Sequence, residues 1–377
     1  MKRYLLTPGP TPVPQNVRLA EAREIIHHRT PEFSQIFMEV SEELKYIFQT
    51  KNAVYTFASS GSGAMEAAVV NLLSPGDKAL VLNTGNFGKR WVNILNKYGV
   101  TAIELACEWG RTIRTEEIKN KMNENPGIKA VFAQHTETST GVVNDIKAIG
   151  NLLKDTPAVL VVDAVSGLVC QEFRMDEWNV DVAVTGSQKG LMLPPGLAFL
   201  SASEKAWKLV ENSKLPKFYF DLKSYKKNLE KKTQPFTSPV SLIVGLKEAL
   251  KMIRQEGIEN IFKRCAELAV ATRKGIMALG LELFSESPCD VVTAVKVPDG
   301  VDGDALVKRM RDEYGVSIAG GQSDYKGKIF RIAHMGYIYK FDVIVAIAAL
   351  EMMLTEMGYK VELGKGVAAV EKALLKK

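Results

Sequence analysis

The chain is poor in the residues that hold metals and disulfides. Its 377 residues include four cysteines and four histidines. Cys107, Cys170, Cys265 and Cys289 stand far apart with no CxxC pair, which indicates neither a zinc site nor a disulfide framework and points to a reducing compartment. The histidines are dispersed, and the adjacent pair His27 and His28 would not share a helical face, so no metal site is expected. No GxSxG elbow marks a hydrolase nucleophile. The most apolar stretch, Val343 to Leu354, is too short to span a bilayer and contains Glu351, so it reads as a buried helix. The opening MKRYLLTPGPTPVP has no apolar h-region and does not read as a signal peptide. A cytoplasmic protein without membrane attachment is expected. Charge is not concentrated either: 49 basic and 43 acidic residues leave +6, spread out apart from short runs such as Lys226-Lys227 and Lys231-Lys232. That is a solvated surface rather than a nucleic-acid footprint.

What is present suits a globular enzyme. Hydrophobic residues make up 46% and charged residues 24%, enough for a sizeable core, and the length suggests a large domain plus a smaller one. Short β-branched runs alternate with longer amphipathic segments, which argues for an α/β fold with a mostly parallel sheet between helices. Strands are expected near Ala53–Phe57, Ala79–Leu82, Ala102–Leu105, Ala130–Gln134, Ala158–Val162, Asp181–Thr185 and Leu197–Leu200. The link between the last two is too short for a helical crossover, so one of them should run antiparallel. Helices are expected from about Val240 to Leu279 with a break at Gly257, followed by a strand, helix, strand, helix pattern that reads as a smaller α+β domain. The segment Lys214 to Ser238 has little periodicity and reads as a functional loop.

Several residues at strand ends could carry chemistry. In VYTFASSGSGAMEAA a strand runs into Ser59-Ser60-Gly61-Ser62-Gly63 and then into a helix beginning near Ala64. Small residues and a helix N-terminus suit a phosphate, although an ordinary capped turn has the same pattern. It is not a P-loop, because no GK[ST] follows. Asp163 closes the apolar run AVLVV, where open α/β folds place ligands, or else caps the following turn. Lys189, in TGSQKG, lies just beyond another strand; as a nucleophile it needs a lowered pKa, and otherwise it is a solvated lysine. An amine and a carboxylate at neighbouring strand ends are what pyridoxal phosphate (PLP) requires. Thr138, Ser139 and Thr140 offer hydroxyls to a ring oxygen or build a polar turn. Arg331, in an apolar strand, needs an anionic partner: a substrate carboxylate or an internal salt bridge. Phe87 either stacks on a flat ring or belongs to the core.

With these residues in view, the chain resembles fold-type I PLP enzymes of the class V aminotransferase family, and within it the alanine-glyoxylate and serine-pyruvate branch. The motifs are LLTPGPTPVP, HHRTPEF, SGSGAMEAA, NTGNFGKRW, TETSTGV, VDAVSG, GSQKG, LPPGLAF, QPFTSPV and FRIAHMGY, in the family's order over essentially the whole length. The resemblance implies a Schiff base on Lys189, a ring-nitrogen partner in Asp163, phosphate contacts from Ser62, Gly63 and Ala64, and stacking by Phe87. It also implies cofactor contacts from Thr138, Gln188 and Gln234, and Arg331 and Gly9 at the substrate. Thr237 would reach the partner subunit's cofactor, which implies a homodimer with shared active sites. An arm of residues 1–15, a large domain over 16–255 and a small one over 256–377 are expected. The branch has a tryptophan at Phe87, a histidine at Ala64 and a tyrosine near Gln234. The implied reaction moves the amino group of a small amino acid (alanine, serine or aspartate) to glyoxylate or another 2-oxo acid by a ping-pong route. A PLP lyase or desulfurase, a nucleotide-linked dehydrogenase and a non-catalytic binding protein are the alternatives.

Overall fold

The computed structural model describes residues 2–375. A two-residue strand, β1 (Tyr4–Leu5), precedes helices α1 (Gln15–Glu21) and α2 (Pro31–Phe48). Strand–helix units follow: β2 (Val54–Ser59), α3 (Gly61–Leu72), β3 (Lys78–Asn83), α4 (Asn86–Lys97), β4 (Thr101–Ala106), α5 (Thr115–Glu124) and β5 (Ile128–Gln134). A hairpin of β6 (Thr136–Glu137) and β7 (Val142–Val143) leads to α6 (Ile146–Leu153), β8 (Val159–Asp163), β9 (Val182–Gly186) and β10 (Gly196–Ala202). Helices α7 (Glu204–Asn212), α8 (Leu222–Glu230), α9 (Val240–Glu256) and α10 (Ile258–Ala278) come next. The chain continues through β11 (Val292–Lys296), α11 (Gly303–Tyr314), β12 (Val316–Ser317), β13 (Ala319–Gly320), β14 (Ile329–Ala333), α12 (Lys340–Glu356) and α13 (Lys365–Leu374).

The main sheet has seven strands in the order β2-β10-β9-β8-β5-β3-β4. All seven lie where the apolar runs place them. β10 is the antiparallel member, against both β2 and β9; the other pairings are parallel. The central strands are continuous apolar runs because both faces are covered. Val131 and Ala133 of β5 enter one core layer with Leu160 and Val162 of β8, beneath Phe33 and Leu44 of α2 and Leu246 of α9. Ala130 and Phe132 enter the other layer with Val159 and Val161, beneath α3 and α4. This alternation also sends the side chains at the strand ends to defined faces.

A second sheet, β11-β14-β13, is antiparallel and packs with α10, α12 and α13 around Phe330, Ile332, Ile347 and Leu350. The break between α9 and α10 falls at Gly257, whose φ of +82° is left-handed and favours glycine. The apolar stretch at Val343 is buried in α12, and Glu351 within it accepts the backbone N–H groups of Gly364, Gly366 and Val367 at the start of α13. Among the described residues no helix is long and apolar enough to cross a membrane.

One expectation needs correction. The Lys214–Ser238 segment is not all loop, since α8 occupies Leu222–Glu230, with Asp221 capping it through the Lys223 N–H. It buries only Leu222 and Tyr225 among its lysines, too thin an apolar stripe to show in the pattern.

The N-terminal arm ties the two sheets together. β1 pairs in parallel with β12, Tyr4 opposite Val316, and the Leu6 carbonyl accepts the Ala333 N–H at 2.8 Å. Beyond it the Thr11 N–H donates to the Gln188 carbonyl at 3.0 Å, which brings the arm to the ends of β8 and β9.

Candidate active site

The carboxyl ends of β5, β8 and β9 meet the first turns of α3 and α4 around a cavity of about 200 Å³. Its walls include Gly9 of the arm, Ser60 to Ser62, Phe87, Asp163 and Lys189. A larger groove of about 800 Å³ lies between α1, α2 and α9, but its walls carry surface ion pairs such as Lys247 with Glu39 and Arg254 with Glu43. The smaller cavity holds the convergent chemistry.

Lys189 follows β9 in a turn fixed by Ser187, whose hydroxyl donates to the Pro194 carbonyl at 2.7 Å, and by the Thr11 hydroxyl on its own carbonyl at 2.9 Å. The side chain is only 7% exposed. Its Nζ donates to the Ser166 hydroxyl at 3.0 Å and to the Pro8 carbonyl. Burial lowers its pKa to about 8, and the cations Arg331 and Arg90 push the same way against Asp163 and Glu137. The amine is therefore neutral far more often than a surface lysine, as a nucleophile requires.

Asp163 ends β8 at the same edge. Its Oδ1 accepts the Val165 N–H at 2.8 Å, and burial raises its pKa against that bond and the nearby Lys189 and Arg90. Phe87, in the first turn of α4, has its ring centroid 5.9 Å from the Lys189 Nζ and 4.7 Å from the Arg90 Cζ. Arg90 Nη1 in turn donates to the Ser62 hydroxyl at 2.8 Å. Thr138 bonds its hydroxyl to Ser166, the residue that also receives Lys189.

The residues at this cavity fit PLP. Helix α3 starts there with no side-chain cap, leaving its positive end to an anion such as a phosphate. Gln188 Oε1 and Thr136 Oγ1, both closed off from solvent, have no hydrogen-bond partner within the protein, as polar groups facing a ligand would. The Asp163 carboxylate and the Lys189 amine supply the two ends of the cofactor's chemistry.

Not every expected residue lies on this wall. Of the expected cradle, Ser60, Gly61 and Ser62 face the cavity, and the helix starts at Gly61 rather than near Ala64, which is buried in the core on the inner face of α3. Gly63 is buried against Ser59 and Phe220: a Cβ there would lie 1.9 Å from the Ser59 Oγ. Gln234 is also elsewhere, its Nε2 donating to the Thr56 carbonyl at 2.9 Å. Thr237 is exposed and away from the cavity. Arg331 sits behind the wall, buried, with Nη1 on the Thr138 carbonyl at 2.9 Å and Nη2 on the Gly320 carbonyl at 2.6 Å. Among the described residues it has no salt bridge, so the internal ion pair is not what holds it. Burial lowers its pKa to about 10, with Glu137 opposing.

Sequence reasoning missed Arg90, Ser166 and Glu137. Arg90 was findable as the residue one helical turn after Phe87. Nothing in the sequence singles out Ser166.

These strand ends, helix starts and side chains are those of a transaminase. The chain belongs to the class V aminotransferases: the family described as "Aminotransferase class-V" matches residues 3–332. It is 43% identical to the soluble hydrogenase small subunit of a Synechococcus strain, covering 99% of this chain and 98% of that one. It is 38% identical to the L-aspartate–glyoxylate aminotransferase of Paracoccus denitrificans, over 97% and 95%. Among solved structures, the ureidoglycine-glyoxylate aminotransferase of Bacillus subtilis superposes with a TM-score of 0.95 at 31% identity, over 99% of this chain and 98% of that one. The dehydrogenase and non-catalytic alternatives fall away. The fold is that of the fold-type I transaminases, a family that works with PLP.

Proposed function

We propose that this transaminase uses PLP to move the amino group of a small amino acid, alanine, serine or aspartate, to glyoxylate or another 2-oxo acid in a ping-pong cycle. The observation that carries this reading is the buried Lys189 amine beside Asp163, at a cavity closed by the uncapped start of α3. PLP, when bound, supplies the carbonyl that the amine captures and the electron sink for the α-carbon. The chain's own residues do the rest. The start of α3, with Ser60, Gly61 and Ser62, binds the phosphate. Asp163 holds a proton at the pyridine nitrogen. Phe87 covers one face and excludes water, Thr138 and Gln188 hold the polar edge, and Arg331 orients the substrate carboxylate. Lys189, once its nitrogen is released, moves the proton at the α-carbon. Gly9, which lines the same cavity, stands on the substrate side.

A homodimer with shared sites belongs to this reading, with Thr237, exposed and remote from its own cavity, serving the partner's cofactor. So does the division into an arm of 1–15, a large domain of 16–255 and a small one of 256–377. Small-substrate glyoxylate relatives support the substrate class.

Lys189→Ala is expected to remove the visible absorbance band of the protein purified with PLP and to abolish amino-group transfer. Normal turnover in that variant would refute the assignment. A panel of donors and acceptors, with sulfide release from cysteine as a control, separates transamination from desulfuration.

A further inference from the structure

Glu137 is a buried carboxylate to which the proposed reaction gives no part. It ends β6, is fully buried, and among the described residues makes no salt bridge. Its Oε2 accepts the backbone N–H groups of Phe87 and Gly88, both at 3.0 Å. Its Oε1 accepts the Ser139 N–H at 3.1 Å and the Ser139 hydroxyl. Ser139 Oγ also accepts the Asn86 N–H at 2.9 Å. Three of the four groups on Glu137 are main-chain N–H donors that cannot accept a proton, so the arrangement is built for the ionised form. The carboxylate lies at the start of α4, where the helix macrodipole favours negative charge.

The contact is tight. A Cβ on Gly85 would lie 2.5 Å from both the Glu137 Cγ and the Ser139 Oγ, so only glycine lets the α4 start approach this closely. On its other side Glu137 adjoins Thr138, whose carbonyl receives Arg331 and whose hydroxyl meets Ser166. One buried anion thus sits between the aromatic platform, the lysine and the arginine.

We propose that Glu137 is a positioning residue of this site: its carboxylate ties Phe87 to the turn carrying Thr138 and Ser139, and supplies negative charge beneath Lys189 and Arg331. The proposal rests on the PLP-transaminase reading. Burial raises the Glu137 pKa and Asp163 adds to the rise, while the hydrogen bonds from Ser139 and Gly88 oppose it. The charged groups that bear on Lys189 are Asp163 at the end of β8, Arg331 on β14, Arg90 on α4 and Glu137. Glu137 and Asp163 favour its protonated form; the two arginines oppose it.

The test compares wild type, Glu137→Gln and Ser139→Ala by two measurements. The first is the PLP dissociation constant. The second is the pH dependence of Lys189 carbamylation by cyanate in the cofactor-stripped protein, read by mass spectrometry. Glu137→Gln keeps the shape but loses the charge and turns one donor toward the helix N–H groups. It is expected to weaken PLP binding on the order of tenfold and to lower the carbamylation midpoint by roughly one pH unit. Ser139→Ala keeps the charge but loosens it, so PLP binding weakens several-fold while the midpoint stays. An unmoved midpoint in Glu137→Gln overturns the electrostatic part, and undiminished PLP affinity in Ser139→Ala overturns the positioning part. Should Glu137→Gln fail to fold, Ser139→Ala still decides the positioning part, and the carbamylation midpoint of Arg331→Ala, expected to rise because a cation near Lys189 is lost, decides whether charges beside the lysine set it. A wild type that takes up no PLP sinks the transaminase reading instead, whereas the carbamylation midpoint needs no cofactor and still reports on Glu137.

Discussion

A guanidinium held only by neutral carbonyls keeps its charge for an incoming anion. Arg331 is in that state, bonded to the Thr138 and Gly320 carbonyls. Arg331→Ala is expected to raise the KM of every α-amino acid donor by the equivalent of about 2–5 kcal/mol, with a smaller change in kcat. An unchanged KM would leave it as a brace between those carbonyls. At this scale the sequence was legible where chemistry coincides with a strand end, as at Lys189 and Asp163. It placed the start of α3 too late, because three serines and two glycines in ASSGSG do not mark where the helix begins. It was silent at Glu137, since an acid in a hydroxyl-rich turn reads as solvated until the fold buries it.

The elements were more legible than their ends. Seven apolar runs specified seven strands, most plainly the central ones, which are buried on both faces and have no other use for such runs. Helix α8 escaped because its stripe is two residues wide. The arm is the element with most at stake for the site. Gly9 has φ +121°, and a Cβ on it would lie 2.7 Å from the Lys189 Cε. Gly9→Ala is therefore expected to strain the arm by about 1–2 kcal/mol and to displace Lys189. The check is a lower melting temperature with PLP capture slowed well beyond what an equally destabilising core variant gives.

At the scale of the whole molecule, two buried histidines set the response to acid. Burial lowers the pKa of His135 and of His334 to about 3, so both stay neutral in the folded state below the usual 6.5. The unfolded chain takes up these protons first, and stability falls as pH drops from about 6.5 toward 3, by about 1.4 kcal/mol per pH unit for each. Asp163 and Glu137, with raised pKa values, act in the opposite sense over the carboxylate range. His334→Gln should therefore flatten the fall in stability that denaturant melts record between about pH 6.5 and 5, and an unchanged slope in that variant would remove His334 from the account.

The pairing of Tyr4 and Leu5 with Val316 and Ser317 joins segments 312 positions apart, in time as well as space. On the ribosome β1 is made roughly 15–60 s before β12 at ordinary elongation rates. Throughout that interval the growing chain can assemble most of its main sheet, with Pro8 and Gly9 held over Lys189 from the Thr11 side alone, by its bonds to the Gln188 and Lys189 carbonyls. The cover over Lys189 is tied down at both ends only once β12 has been made.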